Sequence, residues 1–171
     1  MQIKLPKALP LLQSDRIELR TMLPSDNLSL YEIYSDPLVM QYTDEQPFAS
    51  IATVALMLAS VQKLLSEGTS LEWGLVVRSS NALVGTCGLH SFNASLQLAE
   101  IGCLMKASAW GHGYMTEALN LLTAYARDVV RLRLLAADVH SENKRAQCLF
   151  ESLGFDRAGP ELWNLRLMPE T

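Results

Sequence analysis

Cysteine and histidine are scarce in this 171-residue chain, three of each. Cys87, Cys103 and Cys148 are odd in number, widely spaced and set among apolar neighbours. That excludes a disulfide framework and reads as buried thiols kept reduced in a cytoplasm. His90, His112 and His140 stand far apart and no Cys-x-x-Cys occurs, so no metal site is expected. Long hydrophobic runs are missing too. The longest nearly apolar stretch, Ile51–Val61, is far too short to span a membrane. The N-terminal segment, broken by Pro6 and Pro10, does not read as a signal peptide. Positive charge forms no block: 14 Lys and Arg stand against 18 Asp and Glu, for a net charge of −4. That balance, without aromatic and basic residues interleaved, argues against direct nucleic-acid binding. No repeat, low-complexity tract or linker divides the chain, so residues 1–171 are expected to form one domain.

What is present is an ordinary globular mixture, 49% hydrophobic and 19% charged, with readable periodicity. Residues Arg16–Met22 alternate polar and apolar and predict a half-buried strand. Asn27–Ser35 carries apolar residues at helical spacing until Asp36-Pro37 stops or redirects it. Ser50 reads as the cap of a second helix that ends at Gly68. Strands are predicted over Trp73–Val77, Leu83–Leu89 and Glu100–Met105, with turns at Ser79–Asn81 and within Phe92–Gln97. A helix is expected over Tyr114–Asp128. The apolar run Leu134–Val139 predicts a strand covered on both faces. A last helix over Asn143–Leu153 is capped by Gly154, and short strands follow at Phe155–Ala158 and Leu162–Met168. The order defines a mixed α/β layer fold.

The stretch Ala109–Leu119, AWGHGYMTEAL, places two glycines at a helix start. Gly costs about 0.5–1 kcal/mol relative to Ala inside regular structure, so the pair marks either a tight turn or a close backbone approach. A glycine-bearing turn followed by a helix N-terminus is suited to an anion, because free N–H groups and the helix dipole converge there.

The longer segment EIGCLMKASAWGHGYMTEAL resembles the acyl-CoA-binding motif of the GNAT N-acetyltransferases. Within them it is most similar to the branch of ribosomal-protein N-terminal acetyltransferases (RimJ/RimL type). SDRIELR, LYEIYSDPLVMQYT, ALVGTCGL and NKRAQCLFESLGF resemble further segments of that branch in the same order, so the likeness covers roughly residues 14 to 158. The resemblance implies a mostly antiparallel central sheet with helices on both faces. Its Glu100–Met105 and Leu134–Val139 strands would splay apart. It implies acetyl-CoA as cofactor and an amine, either a protein N-terminus or a small molecule, as acceptor. The CoA pyrophosphate would rest on the main chain of Ser108, Ala109, Trp110, Gly111, His112 and Gly113, with Tyr114 and Met115 opening the helix. Pantetheine would lie between Cys103-Leu104-Met105 and Ala137-Asp138-Val139. The N–H of Leu104 or Met105 would polarise the thioester carbonyl. Asn143 matches a residue that bonds the cofactor's amide arm, and Glu100 matches a carboxylate used as general base. A base matters because an α-amino group is about a tenth neutral at pH 7 and a lysine less than about a thousandth.

Several positions depart from the family pattern. Ser108 replaces a usual Gln or Arg, Ala146 a common Ser, and Phe150 a Tyr that protonates the departing thiolate. The two missing hydroxyls leave no named general acid and keep open a second reading, an acyl-CoA-binding module with little turnover. The short end AGPELWNLRLMPET suggests an acceptor pocket that is more open, or completed by a second subunit in a homodimer. Trp110 packs under its turn or touches CoA, and Glu117 stabilises the helix start. His140 and the tyrosines Tyr31, Tyr34 and Tyr42 fall in the region that shapes the acceptor site.

Overall fold

Ile17 and Leu19 are wholly buried while Glu18 and Arg20 stay half-exposed, so one face of this short strand enters the core and the other does not. A computed structural model describes residues 3–168. These build an eight-stranded sheet in the spatial order β1-β2-β3-β4-β5-β6-β8-β7. The strands are β1 (Leu12–Gln13), β2 (Ile17–Arg20), β3 (Ser70–Val77), β4 (Ala82–Asn93), β5 (Leu98–Met105), β6 (Leu134–Asp138), β7 (Asp156–Arg157) and β8 (Leu162–Arg166). Neighbouring strands run antiparallel except β5 and β6, which are parallel.

Helices α1 (Asn27–Tyr34), α2 (Pro37–Met40), α3 (Ala52–Glu67), α4 (Tyr114–Tyr125) and α5 (Lys144–Ser152) cover the sheet. On one face Leu71, Trp73, Leu75, Cys87 and Leu89 pack against Met115, Ala118, Leu119 and Leu122 of α4 and Phe150 of α5. On the other, Val76 and Leu83 meet Leu30, Ile33 and Tyr34 of α1, Val39 and Met40 of α2, and Val54 of α3. Trp73 anchors the N-terminal segment: its indole donates to the Pro10 carbonyl at 2.9 Å and its ring meets Tyr125 edge-on at 5.6 Å. Among the described residues no helix is long and apolar enough to cross a membrane.

The expected mixed α/β fold is thus present, with differences in detail. Strand β1 has no counterpart in the sequence reading, because two residues show no period. Asp36 redirects rather than stops the chain: its carboxylate accepts from the Leu38 N–H and caps α2. The fourth helix closes with a π turn over Ala126–Val130. Strand β4 runs on to Asn93, through a register shift between His90 and Asn93 that includes Ser91 at φ 52°. Cys148, expected in the core, sits exposed on α5.

The site is positioned by a division of the sheet. Strands β5 and β6 pair only from Leu98↔Leu134 to Glu100↔Ala136. Beyond that point β5 keeps pairing with β4 to Met105, while β6 keeps pairing with β8 to Asp138. Each strand follows its own neighbour as the sheet twists, and a gap opens between them.

Candidate active site

Strand β5 passes through a single 3-10 turn at Ala107–Ala109 into Trp110–Gly113, and α4 begins at Tyr114. Gly111 (φ 80°) and Gly113 (φ 78°) both occupy the left-handed region, so the turn itself calls for glycine. A Cβ on Gly111 would meet open space, which leaves the loop's backbone open on that side. Among the described residues no side chain caps the first turn of α4, so its N–H groups can receive a ligand.

Two guanidinium groups flank this loop, and sequence reasoning had singled out neither. Arg16 donates to the His112 carbonyl at 2.9 Å and to Glu117 at 2.8 Å, and its guanidinium lies 5.0 Å from the Tyr114 ring centroid. Glu117 also accepts from the Arg16 N–H and the Ser14 hydroxyl. Burial raises the Glu117 carboxyl, but these hydrogen bonds outweigh it and hold the group below the ordinary carboxylate range. Glu117 therefore ties the helix start to the segment just before β2 and does more than complement the dipole. On the other side Arg145 lies 3.3 Å above the Trp110 ring centroid. Trp110 in turn donates its indole N–H to the Met105 carbonyl at 2.9 Å. His112 stacks on Tyr114.

Along the gap, Leu38, Val39, Tyr42, Cys103, Leu104, Met105, Trp110, Met115, Asn143 and Arg145 line a slot of about 100 Å³ together with Ala146 and Leu149. The β4–β5 ladder decides which amides face it. Lys106 donates to Val84, and Leu104 is aligned with Thr86, two residues along the same alternation. The Leu104 N–H therefore points to β4 and the Met105 N–H into the gap. Asn143 caps α5, its oxygen accepting from the Ala146 N–H at 3.1 Å, which leaves its amide N–H groups to donate.

The slot opens into a cleft of about 450 Å³ lined by Tyr42, Thr43, Asp44, His90, Glu100, Gly102, Asp138, His140, Asn143, Ala146, Phe150 and Glu161, among others. Its lining includes four carboxylates, Asp44, Glu100, Asp138 and Glu161, and neither Lys nor Arg. His90 stands directly across the ladder from Glu100, its Nδ1 3.8 Å from the carboxylate and 3.0 Å from the Ser91 hydroxyl. Tyr42 packs against His140 at 5.2 Å. Tyr34 lies buried, its hydroxyl 3.0 Å from that of Thr86. The C-terminal hairpin, short as it is, reaches this cleft through Glu161. Burial first, with the Glu72 charge nearby, pushes the Cys103 thiol up to about 12, so it is no nucleophile. Among the described residues no group of three His, Cys, Asp or Glu could hold a metal ion. A larger groove of about 630 Å³ along β7 and β8 lies away from the gap and holds none of the expected site residues.

The loop, the gap and the acidic cleft are thus contiguous. His90, Arg16, Arg145 and Glu161 were missed because their neighbours here are far apart in sequence. Only the period-2 placement of His90 opposite a strand-end glutamate could have hinted at one of them.

Residues 16–156 match the acetyltransferase (GNAT) domain family. The chain is 30% identical over 148 residues to the uncharacterized N-acetyltransferase p20 of Bacillus licheniformis, covering 86% of this chain and 83% of that one. Its fold matches a GNAT-family acetyltransferase from Bacillus anthracis with a TM-score of 0.80 at 20% identity, over 92% of this chain and 99% of the other. It likewise matches spermidine N-acetyltransferase from Vibrio cholerae, solved with CoA and spermine, with a TM-score of 0.78 at 17% identity over 90% and 97% of the chains. The chain therefore belongs to the acetyltransferase (GNAT) domain family and is an acetyl-CoA-dependent N-acetyltransferase. The residues present fit the cofactor: an open glycine loop between two guanidiniums for its phosphates, and an unpaired strand edge for its amide arm.

Proposed function

We propose that the acidic cleft takes a cationic amine and that the acceptor is a small polyamine. The observation that carries this is the set Asp44, Glu100, Asp138 and Glu161 in a wall without Lys or Arg. Such a wall attracts cations and repels anions, and salt screens the effect. Bound acetyl-CoA supplies a thioester whose acetyl group passes to the amine as the C–S bond breaks and CoA leaves.

The chain's own residues divide the remaining work. Backbone amides of Gly111–Met115, with Arg16 and Arg145, receive the phosphates, and the two arginines make up for Ser108. The Met105 N–H polarises a carbonyl lying in the gap, a role the ladder denies to Leu104. Asn143 donates to the amide arm. Glu100, with His90 beside it, takes the proton that the acceptor ammonium must lose before its nitrogen can attack. Cys103 stays protonated, so attack is direct and no acyl-enzyme forms. Ala146 and Phe150 offer no proton to the departing thiolate, which leaves unaided because a thiol of pKa near 8.5 is a tolerable leaving group. Three cysteines without a disulfide among the described residues support a reducing compartment such as the cytoplasm for this reaction.

The RimJ/RimL resemblance carries the second acceptor class, a protein N-terminus. Acetyl-CoA-dependent thiol release with spermidine, with amino acids, and with peptides beginning Ser, Ala, Thr or Met distinguishes the two. Turnover of spermidine is expected. Turnover of the peptides with spermidine silent would overturn the polyamine reading and leave the enzyme class intact.

A further inference from the structure

Glu72 is a carboxylate on the acceptor face of the sheet that neither the cofactor site nor the base assigned above employs. Leu71 and Trp73 on either side of it are wholly buried against α4, so Glu72 faces the opposite way, toward α1 and the loop after α2. Its partner across the ladder is Gly88, and the partner of Gly88 on β5 is Gly102. Two glycines in one cross-strand row leave the sheet bare between Glu72 and the gap. The bareness is occupied by the carboxylate itself: a Cβ on Gly88 would collide with Glu72 Oε2 and with the Leu71 carbonyl. At the other end of the row a Cβ on Gly102 would lie 3.6 Å from His90 Nε2. Gly102 and His90 both line the acidic cleft. Gly102 therefore floors the cleft, and the Glu72 carboxylate lies over Gly88, one strand behind that floor.

Side chains hold Glu72 in this position. Thr86 hydrogen-bonds the Glu72 carboxylate, and Tyr34 meets the Thr86 hydroxyl at 3.0 Å. With Tyr34 donating to Thr86 and Thr86 donating to Glu72, one carboxylate oxygen has a fixed donor. No Lys or Arg pairs with Glu72 among the described residues. A carboxylate withdrawn from water without a cation is unfavourable, and a cationic ligand relieves that.

Building on the polyamine reading above, we propose that Glu72 is the receptor for the acceptor's ammonium, holding it over Gly102 and accepting its proton. The step balances: an N–H bond of the ammonium breaks, its proton passes to a Glu72 oxygen, and the freed nitrogen lone pair is available for attack on the acetyl carbon. Burial pushes the Glu72 carboxyl up to about 7, so it exchanges a proton near neutral pH. Glu72 in this way takes over from Glu100 the first acceptance of that proton, and Glu100, exposed at the cleft mouth, is left to return it to solvent.

The test compares the wild-type chain with Glu72→Gln, which keeps the shape and an oxygen for Thr86. Thermal unfolding establishes that the variant is folded, and its KM for acetyl-CoA is expected to stay within about twofold. Calorimetric binding of spermidine to the CoA-loaded chain is expected to weaken at least about tenfold, and kcat to fall about 100-fold, the usual size of a lost proton transfer. The acidic limb of kcat/KM near pH 7 should disappear in the variant. The groups that face or couple to Glu72 are Tyr34 on α1, Thr86 and Cys87 on β4, and Cys103 on β5, with His90 and Glu100 at the cleft end of its row. The phenol and both thiols are pushed upward, so none of those three can imitate that limb. Glu72→Gln leaves His90 and Glu100 in place, so a limb that persists in the variant would belong to them and overturn the role of Glu72. Spermidine binding and kcat within about threefold of wild type would overturn the role of Glu72 while leaving the polyamine reading standing. A wild-type chain that neither binds nor acetylates spermidine would overturn both.

Discussion

Glu72→Gln should flatten the dependence of stability on pH. Burial, partly offset by the Thr86 hydrogen bond, raises the carboxyl from the ordinary 4.5 to about 7 in the folded chain. A carboxyl raised in this way keeps its proton in the folded chain after the unfolded chain has lost it. Its contribution is complete below about pH 4.5, declines as pH rises, and is gone once pH passes about 7. At about 1.4 kcal/mol per pH unit, that interval corresponds to about 3 kcal/mol. Gln has no proton to lose, so the variant lacks this decline. Urea unfolding of both chains at about pH 4, 5, 6, 7 and 8 should show the wild type losing about 3 kcal/mol relative to the variant across the series. Curves that stay parallel within about 0.5 kcal/mol would refute the reasoning, since the carboxyl would then ionise alike in both states. Spermidine at about pH 8 should restore part of the lost stability to the wild type alone, because a cation bound to the ionised carboxylate stabilises the folded chain.

Gly111→Asn separates the two reasons for a glycine at φ 80°. Asn tolerates the left-handed region, so stability should change by less than about 1 kcal/mol, while its side chain should obstruct the loop and weaken CoA binding at least about tenfold. Unchanged CoA affinity by calorimetry would mean that the glycine serves the turn alone. Arg16→Met removes a cation from the loop and its bond to the His112 carbonyl. CoA affinity should fall about tenfold and become less sensitive to salt, and an unaltered salt slope would exclude Arg16 from the phosphate site. Cys103→Ala should keep kcat within about threefold, with no acetylated protein in mass spectra of the wild type during turnover. A lost activity together with an acetylated Cys103 would establish an acyl-enzyme instead.

Local signals in the chain were enough for much of the architecture. The alternation of Ile17 and Leu19, the helical spacing of Met115, Ala118, Leu119 and Leu122, and the apolar run at Leu134–Ala137 all lie within one element and survive in the fold. The glycine turn before Tyr114 was legible for the same reason. Its position between a strand and a helix follows from neighbours in sequence, and its φ values agree with the residue type. The choice of Met105 over Leu104 was not legible. It depends on which side of β5 the ladder to β4 consumes, and that register is set by pairing at a distance. The clamp on the loop joins Arg16 to Glu117 across 101 residues, and Arg145 reaches Trp110 only after α5 docks. The acidic wall gathers Asp44, Glu100, Asp138 and Glu161 from four separate segments. Glu72 stood just before the predicted Trp73–Val77 strand and carried no signal of its own. The role proposed for it rests on Gly88 and Gly102, its successive neighbours across the sheet, and on Tyr34, which meets Thr86 from a covering helix. Sequence by itself determined most of the elements, the glycine loop before α4 and the family likeness, because period, turn chemistry and motif are local properties of a chain. Tertiary structure alone decided which amide faces the gap, which arginines hold the loop and where negative charge collects. Those are properties of distance, and distance between remote residues exists only once the chain has folded.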